Sequence, residues 1–371
     1  MKRTMFAAGL AMCFSLFAAA PSRAQDTIHR RDPKGGKDVN VSGVIEQESP
    51  AGVKIKVGKE SVLIPPEDIV HIAYHLGNVS EIEFGTPYGK EQQAMTKTGP
   101  ARKAELVEVQ TLYQGLEKKV KGSPEALRYI QYREAMLALD RAKEDPAVDP
   151  VTALKDFRTA NSGGWEIVPA TKALAGLLEA KGDQAGARAA YEELGANPEA
   201  PKDVQLSANL QVARILSRDN KYADAEQKLK AVAAGMKPDD PQQTYVQVAL
   251  AQTQVAQGKV KEAEAPLKAA VKGTGDDHLK SLAYNALGDY YQQNKQPDEA
   301  LWQYLRVDAV YNQDREEHAR ALYNLWKLFE AVRGDQQRSN ECLQKLEDKT
   351  FAGTDYQARA IKETEGAKKA P

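Results

Sequence analysis

Cysteine is nearly missing from this chain: its 371 residues include two, Cys13 and Cys342. Cys13 falls in a leader-like segment, so the remaining chain cannot close an internal disulfide. Cys342 reads as a half-buried residue on a helix. A block of one charge sign is missing too, since 51 Lys and Arg stand against 52 Asp and Glu. Without a basic excess there is no electrostatic footprint for nucleic acid. Beyond residue 24 no apolar run is long enough to span a bilayer, so no stable membrane span is expected. The chain also lacks G-x-S-x-G, a P-loop and G-x-G-x-x-G. These absences predict a non-enzyme that needs no cofactor and no metal.

The N-terminus has the form of an export signal. Lys2 and Arg3 precede an apolar stretch from Met5 to Ala20, and Ser22-Arg23-Ala24 puts small residues before a cut at Gln25. Met12 is too bulky for Leu10-Ala11-Met12-Cys13 to serve as a lipoprotein box. Residues 1–24 are therefore predicted to be a signal peptide. The mature chain is expected in the periplasm, in the cell envelope or outside the cell.

Residues 25–75 alternate apolar and polar positions. Val39, Val41 and Ile45 mark one run, Val53, Ile55 and Val57 a second, Val62 and Ile64 a third, and Val70, Ile72 and Tyr74 a fourth, with Thr27-Ile28-His29 as a further strand. Period-2 patterning between turns at Pro50-Ala51-Gly52 and Gly58-Lys59-Glu60 predicts a hairpin meander. A sheet this small needs closure to protect its edges, which points to a small SH3-like β-barrel. His71 and His75 invite a metal reading, but four residues along a strand separate side chains by about 13 Å. Residues 76–100, with Gly77, Gly85, Pro87, Gly89, Gly99 and Pro100, read as a linker.

From Ala101 the apolar period becomes helical, with Leu106, Val109, Leu112, Tyr113 and Leu116 on one stripe. Ser123-Pro124, Asp149-Pro150 and Asp240-Pro241 mark helix starts, and Asp314 with Glu317 forms a capping box. A helix-pair pattern then recurs. Turns at Gly182, Asn220, Gly258 and Lys295 are each followed by an alanine: Ala187, Ala225, Ala263 and Ala300. Periods of about this size, near 38 residues, mean stacked helical hairpins. A shortened chain starting at Ala101 is expected to fold without the β module, because such arrays are stabilised by local interfaces.

Tyr284, Leu287, Gly288, Tyr291, Ala300 and Tyr304 carry an aromatic, leucine, small, aromatic, alanine, aromatic pattern that resembles the tetratricopeptide repeat family. Ala175, Ala187, Tyr191 and Pro198 repeat part of it, as do Ala213 with Ala225 and Ala251 with Ala263. Small residues at these places let two helices approach closely. The match runs from Val168 to Val307, and Trp326 and Lys327 depart from it downstream. The resemblance implies a mainly α fold: a TPR-like solenoid of antiparallel helix pairs over residues 101–349, ending in a cap and polar tail at 350–371. Within that tail a short helix is expected from Ala352 to Ile361, with disorder beyond.

In that family the first helix of each pair lines the binding face. The register then implies Lys172, Arg214, Ser217, Arg218, Tyr245, Gln252, Asn285, Asp289, Gln292 and Gln293 as the partner-facing residues. Leu210 and Val248 occupy positions that a terminal-carboxylate clamp would need, which rejects that clamp. The resemblance implies a scaffold or adaptor for a protein or peptide partner, with self-association through open array ends as a further possibility. Among the aromatics from Trp302 to Phe329, one or two are expected to be exposed. The competing reading is an accessory hydrolase working through the polar cluster Asp314, Glu316, Glu317 and His318.

Overall fold

The computed structural model describes residues 25–32, 36–237, 239–240 and 242–369. The signal-like segment lies outside them. The chain divides into two compact units between Ala173 and Leu174.

The first unit begins with five strands: β1 (Asp26–Arg30), β2 (Val39–Ser49), β3 (Gly52–Val57), β4 (Glu60–Ile64) and β5 (Ile69–Ala73). All pairings are antiparallel, in the order β4-β3-β2-β1-β5. The expected barrel is not closed, because β4 and β5 end the sheet at opposite edges. Packing of helices on β5 takes the place of closure.

Those helices are α1 (Glu81–Met95), α2 (Gly99–Lys119), α3 (Pro124–Glu144) and α4 (Pro150–Ala160), followed by the start of α5 (Ile167–Ala180). The residues read as a linker thus hold a helix. Its glycines and Pro87 lower its propensity, but Phe84, Pro87, Glu91 and Ala94 recur at helical spacing and are all buried. Ser80 caps its start by accepting from the Glu83 amide at 3.2 Å. Tertiary burial outweighs local preference here.

Sheet and helices share one aromatic core. Tyr74 meets Phe84 of α1 edge-on at 5.7 Å and Tyr129 of α3 at 5.8 Å, while Trp165 packs on Tyr129 and Tyr132. Buried polar ties run through it. Arg128 of α3 joins Glu48 of β2 at 2.5 Å and Glu166 at 2.9 Å, and Arg133 joins Glu91 of α1 at 2.6 Å. His71 of β5 stacks on Tyr88 and shares a 2.5 Å hydrogen bond with the Tyr129 hydroxyl. The β module is therefore not separate from the helices that follow it, contrary to the division expected at residue 101.

The second unit continues with α6 (Gln184–Ala196), α7 (Lys202–Arg218), α8 (Tyr222–Ala234), α9 (Gln243–Ala256), α10 (Val260–Gly273), α11 (Asp277–Gln293), α12 (Pro297–Ala309), α13 (Arg315–Arg333), α14 (Gln336–Glu347) and α15 (Asp355–Lys369). From α6 to α14 each helix packs on the next in sequence. The repeat register read from sequence is visible in the backbone. Gly182, Asn220, Gly258 and Lys295 have φ of 81°, 59°, 75° and 58°, the left-handed conformation that ends a helix. At each turn the following amide reaches back five residues: Asp183 to Leu178, Lys221 to Leu216, Lys259 to Gln254 and Gln296 to Tyr291, at 2.8–2.9 Å. Ala187, Ala225, Ala263 and Ala300 are fully buried.

Two local expectations change. Asp240 does not start a helix; α9 begins at Gln243, and Pro241 lies outside the described residues. The capping box at Asp314 is half made. Asp314 accepts from the Glu317 amide at 2.9 Å, but the Glu317 carboxylate turns to Asn285 instead of back to the cap. At the C-terminus α15 runs to Lys369, longer than the short cap expected. Cys342 sits in α14 among the core side chains around Leu346 and Phe351, and burial pushes its thiol up to about 12.

Candidate functional site

The first helices of successive pairs in the second unit line a cavity of about 770 Å³. Its walls come chiefly from α7, α9, α11 and α13, with Glu179 of α5, Tyr191 of α6 and the first turn of α15 closing the sides. A cavity of this size falls in the range that holds a small ligand or a few peptide side chains.

The charged groups in it are paired. Arg214 meets Glu179 at 2.5 Å, and Arg218 reaches both Glu179 at 3.5 Å and Asp355 at 2.9 Å. Arg320 is buried, joined to Asp289 and, at 3.4 Å, to Glu317. With the Gln252 amide turned so that its oxygen faces Arg320, that oxygen accepts from both terminal guanidinium nitrogens. Burial disfavours the Arg320 charge, and Asp289 together with Tyr356, Glu317 and Tyr304 more than offsets this. Its Nε has no hydrogen-bond partner. Tyr245 packs against the cores on both sides of α9, and burial raises its phenol pKa. The cavity is thus a mixed polar surface with aromatic walls, suited to a polar chain segment with a planar group.

Of the residues implied by the register, Arg214, Ser217, Arg218, Tyr245, Gln252 and Asp289 line this cavity. Three do not. Lys172 lies in the first unit, where its ammonium pairs with Glu67 at 2.9 Å. Asn285 is fully buried and donates to the Glu317 backbone and side chain at 2.9 and 2.7 Å, so it ties α11 to α13. Gln292 donates to the Tyr304 hydroxyl at 2.7 Å and to Asn324 at 3.2 Å, away from the lining. Gln293 is likewise off the lining.

The sequence reading missed Glu179, His278, Arg320, Asp355, Tyr356 and Arg359. Arg320 belongs to the first helix of the last pair, where Trp326 and Lys327 break the repeat pattern and the register was not extended. The α15 residues have no repeat signal at all. Trp302, the exposed member of the aromatic run, lies on α12 and off the cavity.

The cluster at 314–318 is taken up by structure. His318 Nε2 meets Asp308 at 2.7 Å and its ring sits edge-on to Phe351. Glu317 faces Asn285 and Arg320, while Asp314 caps α13 and meets His278 at 3.3 Å. Asp314, Glu316 and Glu317 line the cavity, whereas His318 is turned away from it to Asp308 and Phe351. The two histidines of the β module also separate: His71 is buried against Tyr129, and His75 lies 3.7 Å from Glu81. Burial, aided by His29 and Arg133, lowers the His71 pKa to about 3. No group of three or more metal-ligating side chains occurs among the described residues.

This arrangement is that of a tetratricopeptide-repeat array. Among solved structures the chain is similar to a tetratricopeptide repeat protein from Parabacteroides merdae ATCC 43184, at 13% identity and a TM-score of 0.55, covering 76% of this chain and 99% of that one. It is also similar to PilW, described as a type IV pilus biogenesis factor, at 16% identity and a TM-score of 0.43, over 63% of this chain and 98% of that one. A third similar structure is BtubC from P. vanneervenii, at 18% identity and a TM-score of 0.38, covering 65% and 92%. No protein-family model and no curated protein matches the chain. At such identities the likeness shows the fold alone.

Proposed function

We propose that the chain is an exported, non-catalytic adaptor whose second unit holds a protein segment in the cavity lined by α7, α9, α11 and α13. The observation that carries this reading is the cavity itself. Six of the ten residues taken as partner-facing from sequence, Arg214, Ser217, Arg218, Tyr245, Gln252 and Asp289, converge on it. The ion pairs of Arg214 and Arg218 are partly exposed and contribute little net stability, so a partner can exchange with them at small cost. Residues 1–24 support export by their charge and apolar pattern.

The test uses cross-linking of the full chain in the cells that make it, with the linked peptides mapped. Cross-links should come from the cavity walls, and Arg214→Ala with Arg218→Ala, both at exposed positions, should lose them while melting unchanged. Cross-links confined to α8, α10 and α12 would sink the proposal. For export, the recovered protein should begin at Gln25; an intact Met1 would contradict it.

The hydrolase reading has less support, because His318 is turned to Asp308 and away from the cavity that Asp314, Glu316 and Glu317 line, and Asp314 and Glu317 are held by His278, Asn285 and Arg320. Self-association through the last helix pair also has little to rest on, since α15 packs over α13 and α14 there. Light scattering should give one mass at all concentrations.

A further inference from the structure

One wall of the cavity is made by a segment from far along the sequence. Asp355 and Tyr356 open α15, and both line the cavity. Asp355 meets Arg218 of α7 across 137 positions of sequence, with Oδ2 2.9 Å from Nε and Oδ1 3.0 Å from Nη2. Tyr356 lies beside Tyr323 at 5.6 Å between ring centres, with the Arg359 guanidinium 5.1 Å over its ring. The other attachments of α15 face away from the cavity. Gln357 donates to the Leu346 and Asp348 carbonyls at 3.0 Å each, and Glu363 meets Tyr323 and Lys327.

The hold on the cavity side is weak for two reasons. Arg218 and Asp355 are both about a third or more exposed, at 35% and 41%, so their attraction is screened. The Asp355 carboxylate is also repelled by that of Glu316, whose pKa is raised by burial and by this like charge, which partly offsets the hydrogen bond that Glu316 accepts from the Asp355 backbone amide. Arg218 has Glu179 as a second partner at 3.5 Å, so it does not become an unpaired charge when Asp355 leaves. The chain thus presents to its own cavity a carboxylate followed by an aromatic ring, on a turn that can be released.

We infer that the first turn of α15 is a latch, holding with Asp355 and Tyr356 the place that a partner segment of the same chemistry takes. That segment carries an acidic residue followed directly by an aromatic one. Its carboxylate replaces Asp355 on Arg218, and its ring takes the position of Tyr356 near Arg320. This inference rests on the partner-binding reading of the cavity and adds to it the chemistry of the partner and the means of regulation. An intramolecular occupant lowers apparent affinity in proportion to the closed fraction. The free chain is therefore a weak binder until the latch opens.

The experiment measures binding of a labelled peptide copying residues 354–363 to the full chain by fluorescence anisotropy. Wild type should bind weakly, and Asp355→Ala with Tyr356→Ala should bind at least about tenfold more tightly, as release of a mostly closed state requires. A peptide with alanine in place of its acidic and aromatic residues should not bind, and adding Arg218→Ala to the opened chain should abolish binding. Because Tyr356 is partly packed, the single exposed change Asp355→Lys serves as a second opened variant. It should gain affinity in the same direction, with helix content and melting as in wild type. Equal affinity in wild type and opened chains, or binding to none of them, overturns the latch. Continued cross-linking of a partner at the cavity walls in that case would leave the adaptor reading standing, whereas loss of those cross-links would remove both.

Discussion

Gly288 of α11 lies against the ring of Tyr304 in α12, so closely that a Cβ there would run into three ring atoms. Tyr304 cannot yield easily, because its hydroxyl donates to Asp289 at 2.5 Å and accepts from Gln292 at 2.7 Å. Gly288→Leu should therefore destabilise the second unit by roughly 1–3 kcal/mol, the usual cost of overpacking, as denaturant unfolding would measure; no change would mean that α11 and α12 are not packed here. Lys295 works in the other direction. It holds a left-handed conformation without being glycine, which costs about 1–2 kcal/mol for an ordinary side chain. Lys295→Gly should raise the melting temperature of the second unit, and an unchanged or lower value would contradict this. Both sites were legible from sequence, since close helix crossings demand small residues and the repeat spacing marks the turn. Gly164 was not. A Cβ there would strike the Arg128–Glu166 pair, and no local pattern announces a contact across 38 positions of sequence.

At the scale of elements, the strands and the repeat helices follow their periodicity closely, and the departures share one cause. The helix α1 was hidden by Gly85, Pro87 and Gly89, and it forms because Phe84 and Ala94 are buried in the first unit. Likewise α15 is anchored by Gln357 and Ala360, buried on its neighbours, and continues past Ile361 where Glu363 meets Tyr323 and Lys327 of α13. Long-range burial decides both, and periodicity within a short window does not report it. The same cause reverses the expectation for a chain starting at Ala101. Removing the sheet and α1 would strip Glu48 and Glu91 from Arg128 and Arg133, and expose Tyr129 and Trp165. Loss of these ties and of the apolar burial around Tyr129 and Trp165 is destabilising. The shortened chain should aggregate or lose the ordered first unit, as near-ultraviolet circular dichroism would show. A soluble product with full aromatic signal would contradict the shared core.

For the molecule as a whole, the two units should respond differently to pH, because the first buries several titrating groups. Glu166 and Glu48 are raised above the ordinary 4.5 by burial, and Glu134 is raised to about 7 by burial and by Glu117. A raised carboxylate contributes stability below its unfolded value and loses it as pH climbs through the folded one. His71 is depressed from 6.5 to about 3, so its contribution is present above 6.5 and lost as pH falls toward 3. The melting temperature of the first unit should therefore be highest near pH 4–5, where the loss from His71 below and from the carboxylates above balance, and fall on both sides. Glu166→Gln should flatten the fall above pH 6, and an unaltered alkaline limb would count against a buried carboxylate there. What the whole chain does depends on the cavity of the second unit, and hydrogen exchange on the full protein tests that most directly. With a cross-link-identified partner added, protection should rise in α7, α9, α11 and α13 and stay level in α8, α10 and α12. Protection gained on the second helices, with the cavity walls unchanged, would contradict the account.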